Sequence, residues 1–149
     1  MAEPIGLTLT SPAFKHNGSI PTQYTCTGSN INPPLIIDNA PAQTESLVLI
    51  VHDPDAPAGD WSHWAVYNIS PTMKAITENS IPGQELINDF GKVHYSGPCP
   101  PSGTHRYRFE LYALDSKLNI SKNSKVKDLL QVIQGHVLTK AELVGLYKK

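Results

Sequence analysis

The sequence predicts a mainly antiparallel β fold with short helices near the C-terminal end. Short apolar or alternating runs recur between turn residues, and no strand–helix–strand rhythm is visible. The 13 prolines and 10 glycines are spread along the chain, as expected where they separate many short strands. At 149 residues the chain has the size of one domain, and we predict a single domain over residues 1–149.

Three segments have clear strand patterns. Leu47–His52 is a short β-branched apolar run, which is typical of a strand buried on both faces. His63–Ile69 is rich in aromatic and β-branched residues. In His105–Leu114 the odd positions are mostly apolar and the even ones are mostly charged, which predicts a half-buried strand. Its first two core-facing residues, His105 and Tyr107, are polar aromatics that can reach a ligand.

Weaker patterns predict the remaining elements. Alternation or apolar character favours short strands at Leu7–Thr10 and Leu35–Ile37. Apolar residues from Val126 to Ile133 have helical spacing that ends near Gly135. A capping-box pattern at Thr139–Glu142 then predicts a second helix through Leu143, Val144, Leu146 and Tyr147.

Charge and hydropathy exclude several classes of protein. The 12 Lys and Arg residues against 13 Asp and Glu residues give a net charge of −1, which disfavours a nucleic-acid partner. The longest apolar run, Leu47–Val51, is too short for a transmembrane segment, which needs about 20 residues. Residues 1–6 lack the basic and apolar regions of a secretory signal, so we predict a cytoplasmic protein.

The two cysteines, Cys26 and Cys99, have neither a CxxC nor a metal-ligand spacing. In a reducing cytosol we expect two buried thiols. The alternative is a disulfide, which would close a long loop and stabilise the fold by roughly 4 kcal/mol.

Two proline-rich loops carry the chemistry that stands out. Asp53–Pro57 follows the first buried run, and Ser96–Thr104 precedes the alternating strand. If the strands are neighbours, two aspartates, two histidines, a tyrosine and a tryptophan gather at one end of a sheet. The structural alternative is that the aspartates cap turns and that the histidines have only packing roles.

Three chemistries fit such a cluster. Histidine, tyrosine and backbone N–H groups around Gly97 can bind an anion, with the aspartates orienting and charging the histidines. A metal site is less favoured, because no tight ligand spacing is present. Hydrolysis by an Asp/His pair lacks a clear nucleophile: Ser62 and Ser102 lie in no G-x-S-x-G elbow, and Cys99 is the remaining candidate.

Several motifs together resemble the phosphatidylethanolamine-binding protein family, which includes Raf kinase inhibitor protein and the plant flowering-time regulators. They are Asp53-Pro54-Asp55-Ala56-Pro57, Trp61-Ser62-His63-Trp64, Gly97-Pro98 and His105-Arg106-Tyr107, in this order. Tyr24–Gly28 and Gly97–Pro101 look more like the bacterial and archaeal branch. The resemblance extends from about Leu9 to Leu146.

The resemblance implies a large antiparallel sheet packed against a smaller sheet, with short C-terminal helices. It also implies a small cavity at one sheet end that accepts phosphate-like anions. Carried over by motif, the ligand-binding residues are Asp53, Asp55, Pro57, Trp61, His63, Gly97, Pro98, His105 and Tyr107. Many eukaryotic members have Gly-Pro-Pro where this chain has Gly97-Pro98-Cys99, so the cavity wall is expected to differ here.

We therefore expect a non-catalytic binding protein without cofactor or metal. His105 would be the main donor to phosphate or a phosphorylated headgroup, His63 and Tyr107 would help, and Asp53 and Asp55 would hold the histidines. The alternative is a protein-interaction module that inhibits a kinase or protease. An Asp/His-dependent hydrolase is the third hypothesis. The resemblance to the bacterial branch also implies a homodimer.

Overall fold

The computed structural model describes residues 6–149. Residues 1–5, which carry most of the segment in which no secretory signal was recognised, lie outside the described residues.

Nine strands and one short α-helix follow one another in the described part of the chain. The strands are β1 (Thr8–Thr10), β2 (Gly18–Ser19), β3 (Leu35–Asp38), β4 (Ser46–Asp53), β5 (Trp61–Ile69), β6 (Ala75–Ile76), β7 (Gln84–Glu85), β8 (Thr104–Leu114) and β9 (Val137–Lys148). Helix α1 spans Val126–Val132, and Thr22–Tyr24 forms a 3-10 turn.

Two sheets form the fold, as predicted. The larger has six strands in the order β2-β9-β8-β4-β5-β7, and the smaller has three in the order β1-β3-β6. All pairs are antiparallel except β2 with β9, which is parallel. The predicted mainly β, two-sheet class is therefore confirmed.

The large sheet is buried on both faces. One face packs against the small sheet through residues such as Leu49, Phe109 and Ile37. The other face packs under α1 through residues such as Ile50 and Leu129. Strand β4 alternates between these two cores, which explains why its sequence is a continuous apolar run rather than an alternating one.

Register places the ends of three central strands together. His52 in β4 lies opposite Arg108 in β8, and Asp53 lies opposite Trp61 in β5. The end of β4 therefore adjoins the beginnings of β5 and β8, which is the neighbourhood on which the predicted cluster depends.

The predicted second helix is wrong, because its residues belong to β9. This strand pairs with β8 along its length, with Leu143 opposite Phe109. Gly145 lies where a Cβ atom would come within 2.4 Å of the Ile20 side chain, so Ile20 packs directly on the β9 backbone. Burial along this register outweighs the local capping-box pattern. The first predicted helix is confirmed as α1.

The expected pair of free thiols is also wrong. Cys26 and Cys99 form a disulfide that joins residues 73 positions apart. Within residues 6–149, no helix combines the length and the apolar character needed to cross a lipid bilayer.

Candidate functional site

A cavity of about 270 Å³ opens at the shared end of β4, β5 and β8. It is lined by Asp53, Ala56, Pro57, Ala58, Trp61, His63, Phe90, Cys99, Pro101, His105 and Tyr107. Six of the predicted ligand-binding residues are thus brought together, and Asp55, Gly97 and Pro98 lie outside this lining.

Asp53 and His105 form a buried pair at the inner end of the cavity. His105 Nδ1 lies 2.6 Å from Asp53 Oδ2, and the two side chains are 9% and 5% exposed. The other oxygen of Asp53 accepts the backbone N–H of Asp55 at 2.8 Å. Because a carboxylate only accepts, Nδ1 of His105 carries the proton, and Nε2 is left for a ligand.

His63 is fixed in the same way by a backbone group. Its Nδ1 donates to the carbonyl of Ser96 at 2.5 Å, so Nε2 of this ring, too, is left for a ligand. Edge-on contacts with Tyr107 and Phe90 hold the ring from two sides. Burial lowers the pKa of His63 below its ordinary value, although the Ser96 carbonyl and the Asp53 charge oppose this effect. His63 is therefore neutral at pH 7.

The Tyr107 hydroxyl is a further polar group in the cavity without a satisfied hydrogen bond. The residue is fully buried, and its hydroxyl finds no partner of normal geometry among the described residues. Burial and the nearby Asp53 carboxylate raise the pKa of Tyr107 and outweigh the Cys99 backbone N–H, which lowers it, so the hydroxyl keeps its proton and can donate. A buried hydroxyl in this state usually indicates a missing water or ligand.

The expectation that Asp55 holds a histidine is not met. Its carboxylate accepts two bonds from the Arg106 guanidinium, at 2.9 and 3.0 Å, and a third from the Arg106 backbone. Arg106 accordingly lowers the pKa of Asp55 to about 2. Asp55 therefore clamps the Asp53–Pro57 loop to the outer face of β8, and Asp53 alone serves a histidine.

Gly97 and Pro98 shape the cavity from behind. The Gly97 N–H donates to Asn30 Oδ1 at 2.7 Å, and the Pro98 carbonyl accepts from Cys26. A Cβ atom on Gly97 would lie 2.3 Å from the Tyr24 carbonyl oxygen, so this position requires glycine. The backbone N–H that was expected to bind an anion is thus already occupied.

Sequence reasoning missed Phe90 and the residue that positions it. Phe90 packs edge-on against both Trp61 and His63 at the cavity mouth. The buried Asn88 accepts the Phe90 N–H and donates to the carbonyl of His63. This loop has no strand or helix periodicity, so no pattern in the sequence pointed to it.

A larger concavity of about 560 Å³ lies on the opposite face of the large sheet, beside α1. Its buried polar groups bond to one another: His52 bridges Asp60 and Glu110 at 2.6 and 3.0 Å, and Tyr112 donates to Glu110. Side chains of α1 and its surroundings, including Lys127, Gln131 and Gln134, form the rest of the lining. The described residues contain no group of three or more His, Cys, Asp or Glu side chains arranged to hold a metal ion.

Comparison with known families decides the identity of this fold. The family model described as phosphatidylethanolamine-binding protein matches residues 10–148. The chain belongs to the phosphatidylethanolamine-binding protein family. The family resemblance of the sequence motifs is thereby confirmed.

Members of the phosphatidylethanolamine-binding protein family from archaea and bacteria are similar over nearly the whole chain. The UPF0098 protein of Methanothermobacter thermautotrophicus is 45% identical over 150 residues, covering 96% of this chain and 99% of the relative. The UPF0098 protein of Chlamydia trachomatis is 42% identical over 147 residues, with 95% and 98% covered.

Solved structures of the phosphatidylethanolamine-binding protein family superpose closely on this fold. The homologue CT736 from Chlamydia trachomatis has a TM-score of 0.94 at 41% identity, covering 97% of this chain and 98% of that structure. E. coli YbcL, described as a member of the mammalian family, has a TM-score of 0.89 at 28% identity, with 97% and 99% covered.

Proposed function

We propose that this protein is a non-catalytic binding protein whose cavity takes a phosphate-like anion, from either a free phosphate or a phosphorylated headgroup. The observation that carries the proposal is the anchoring of both imidazoles through Nδ1. This anchoring leaves two Nε2 atoms and the unpaired Tyr107 hydroxyl for a ligand. A tetrahedral anion offers several oxygen atoms to such a set of groups.

The charges of the site make this binding depend on pH. The Asp53 side chain at the inner end of the cavity disfavours an anion unless His63 is protonated or the ligand itself brings a proton. Burial lowers the pKa of His63, so its Nε2 becomes a donor only at acidic pH. At higher pH the same nitrogen accepts a hydrogen bond from a P–OH group of the ligand. Phosphate monoesters have a second pKa of about 6. Both effects strengthen binding as the pH falls.

A catalytic role is not supported by the groups that surround the cavity. The Cys99 sulfur is held in the disulfide and is not a nucleophile. The Ser62 hydroxyl is buried and accepts the backbone N–H of Asp89. Ser102 is exposed and does not line the cavity. The hydrolase hypothesis therefore lacks an activated nucleophile among the candidates that the sequence offered.

The second candidate function is a protein-interaction module that inhibits a kinase or protease. The observation that favours it is the apolar character of the loop beside the mouth, where Phe90 and Val93 are 43% and 46% exposed. A partner covering these side chains would enclose the cavity as part of a larger interface. In that case a phosphorylated peptide or a protein partner binds far more tightly than free phosphate.

A cytoplasmic location and a homodimer stay predictions. The disulfide weighs against a reducing compartment, because disulfides are rare there outside hyperthermophiles. The thiols of the protein can be alkylated in its native cells, and the oxidised and reduced forms can then be separated. A mainly oxidised protein would indicate an oxidising compartment, and a mainly reduced protein would indicate the cytoplasm.

The proposal is tested by titrating the oxidised protein with inorganic phosphate and with phosphoethanolamine, monitored by amide NMR at pH 6 and pH 8. We expect saturable shifts around Asp53, His63 and His105, with weaker binding at pH 8. His105→Ala should abolish them while the rest of the spectrum keeps the folded pattern.

His94→Ala is the matched control, because His94 is an exposed histidine outside the cavity whose side chain is 69% accessible. It should leave the affinity unchanged. Unchanged phosphate affinity in a folded His105→Ala protein, or shifts centred elsewhere, would overturn the proposal. Tight binding of a protein partner without binding of phosphate would favour the second candidate.

A further inference from the structure

The disulfide forms part of the cavity wall. Cys99 is one of the lining residues, and its partner Cys26 lies just after the 3-10 turn, in an irregular segment beside the end of β9. Both cysteines are partly exposed. The bond that holds this wall therefore lies near the surface.

The two sides of Cys99 are held very differently. On the preceding side, the Tyr95 hydroxyl donates to the Tyr24 carbonyl at 2.7 Å and the Gly97 N–H donates to Asn30. On the following side, Pro100 and Pro101 have no N–H to donate, and residues 101–103 are exposed. Pro100 is buried and Thr104 pairs with Lys148 in β9, so the disulfide is the covalent tie at the near end of the short stretch that carries Pro101 into the cavity lining.

A cation lies beside the sulfur that would leave on reduction. The ammonium nitrogen of Lys149 is 4.0 Å from Cys99 Sγ. A nearby positive charge stabilises a thiolate, and a more stable thiolate is a better leaving group in thiol–disulfide exchange. This arrangement favours attack at Cys26 with departure of the Cys99 sulfur.

We propose that the Cys26–Cys99 disulfide is a thiol-exchange site that regulates the cavity. The cavity wall is held in place while the disulfide is intact and loosens when a small dithiol reduces it. The regulatory part rests on the proposed anion binding. The chemistry balances in two steps. One thiolate of the dithiol attacks Cys26 Sγ, breaks the S–S bond and releases the Cys99 thiolate beside Lys149. The second thiolate of the dithiol then displaces Cys26, so that the dithiol is oxidised by two electrons and the protein holds two thiols.

The loosening of the wall is tested by backbone nitrogen-15 relaxation before and after treatment with dithiothreitol, because the amides of Ser102 and Gly103 are exposed and report mobility directly. Reduction should lower the heteronuclear NOE of Ser102 and Gly103 and leave that of Gly97, which keeps its bond to Asn30, nearly unchanged. Reoxidation should restore the first values. Equal NOE values at Ser102 and Gly103 in both forms would overturn the proposal, and Cys26→Ser should reproduce the reduced values without any reductant.

Regulation is tested with inorganic phosphate as the probe in both forms. We expect about tenfold weaker binding after reduction, because one or two side chains must be re-ordered on binding. Equal affinity in the two forms would overturn the regulation while the proposed anion binding stands. If the wall loosens on reduction but neither form binds phosphate, the proposed function is overturned and the thiol-exchange site stands.

The role of Lys149 is tested by the rate of reduction. Lys149→Gln should slow the reaction with dithiothreitol by about two- to fivefold, as expected for one exposed charge. Lys148→Gln removes the same charge from the neighbouring residue and should have a smaller effect. Identical rates for the two variants would show that Lys149 does not assist the leaving sulfur.

Discussion

Asp53→Asn tests the buried pair on which the site depends. The wild-type carboxylate accepts from His105 at 2.6 Å and from the Asp55 backbone at 2.8 Å, with only 4% of the residue exposed. Asparagine keeps the volume and one acceptor oxygen, but its amide group presents a donor to the Nδ1–H of His105. Hydrogen bonds to charged groups contribute about 1.5–3 kcal/mol, and breaking a buried ion pair costs more. We expect a loss of about 2–3 kcal/mol.

The assay is urea unfolding of the oxidised protein at pH 7, supported by thermal melts. For a domain of this size each kcal/mol lowers Tm by about 2–4 °C, so Asp53→Asn should lower it by roughly 5–10 °C. Asp55→Asn is the control, because its partner Arg106 is 57% exposed and the pair is screened by solvent. It should cost clearly less.

The same variant has a second readout in the tautomer of His105. With a donor facing Nδ1, the ring should transfer its proton to Nε2, and long-range nitrogen–proton NMR spectra distinguish the two tautomers. If Asp53→Asn loses no more stability than Asp55→Asn and His105 keeps its proton on Nδ1, the buried pair does not have the role that we assign to it.

Four further perturbations test the framework around the site. His52 lowers the pKa of Glu110 to about 2, so this group stabilises the fold above about pH 5 and the contribution is lost towards pH 2; Glu110→Gln should remove about 3 kcal/mol of that pH dependence in urea titrations. Burial lowers the pKa of His52, but its bonds to the Glu110 and Asp60 carboxylates outweigh burial and raise the pKa overall. The contribution of His52 to stability is therefore present at lower pH and should be lost as the pH rises above 7. Thermal melts of His52→Gln should not show this loss. Gly97→Ala should cost about 2–3 kcal/mol by calorimetry, since its Cβ would meet the Tyr24 carbonyl, whereas Gly103→Ala, at φ 70° in open space, should cost about 1 kcal/mol. Reducing the disulfide should lower the free energy of unfolding by about 4 kcal/mol in urea, and an unchanged midpoint would contradict its structural role.

The strands at the centre of the large sheet could be predicted because the local order of apolar and polar residues reflects their burial. β8 alternates in burial only over its first half, up to Arg108, and is buried on both faces from Phe109 to Leu114, so the predicted half-buried strand is right for the part beside the site and wrong beyond it. The continuous apolar run of β4 reflects its two cores. β9 could not be predicted in this way. Its capping-box residues satisfy a helix rule locally, and only pairing with the distant β8 selects the strand. Gly145, a poor helix former in the middle of the predicted helix, was the signal that argued against it.

The site residues could be predicted where their position at the end of a strand alone determines where the side chain lies. Asp53, His63 and His105 lie at strand ends that face one cavity. Asp55 could not be placed, because its orientation depends on Arg106 reaching across from another strand. Phe90 lies in an irregular loop that is held by Asn88, and nothing in the local pattern points its ring at the cavity.

The position of β9 in the sheet order has a consequence for biosynthesis. This strand lies between β2, from the beginning of the chain, and the long edge of β8. Until residues 137–148 leave the ribosome, β2 has no place in the sheet and β8 exposes an unpaired edge of eleven residues. The large sheet therefore closes only after translation has passed this strand, and nascent chains stalled before it present an open edge to chaperones and to one another.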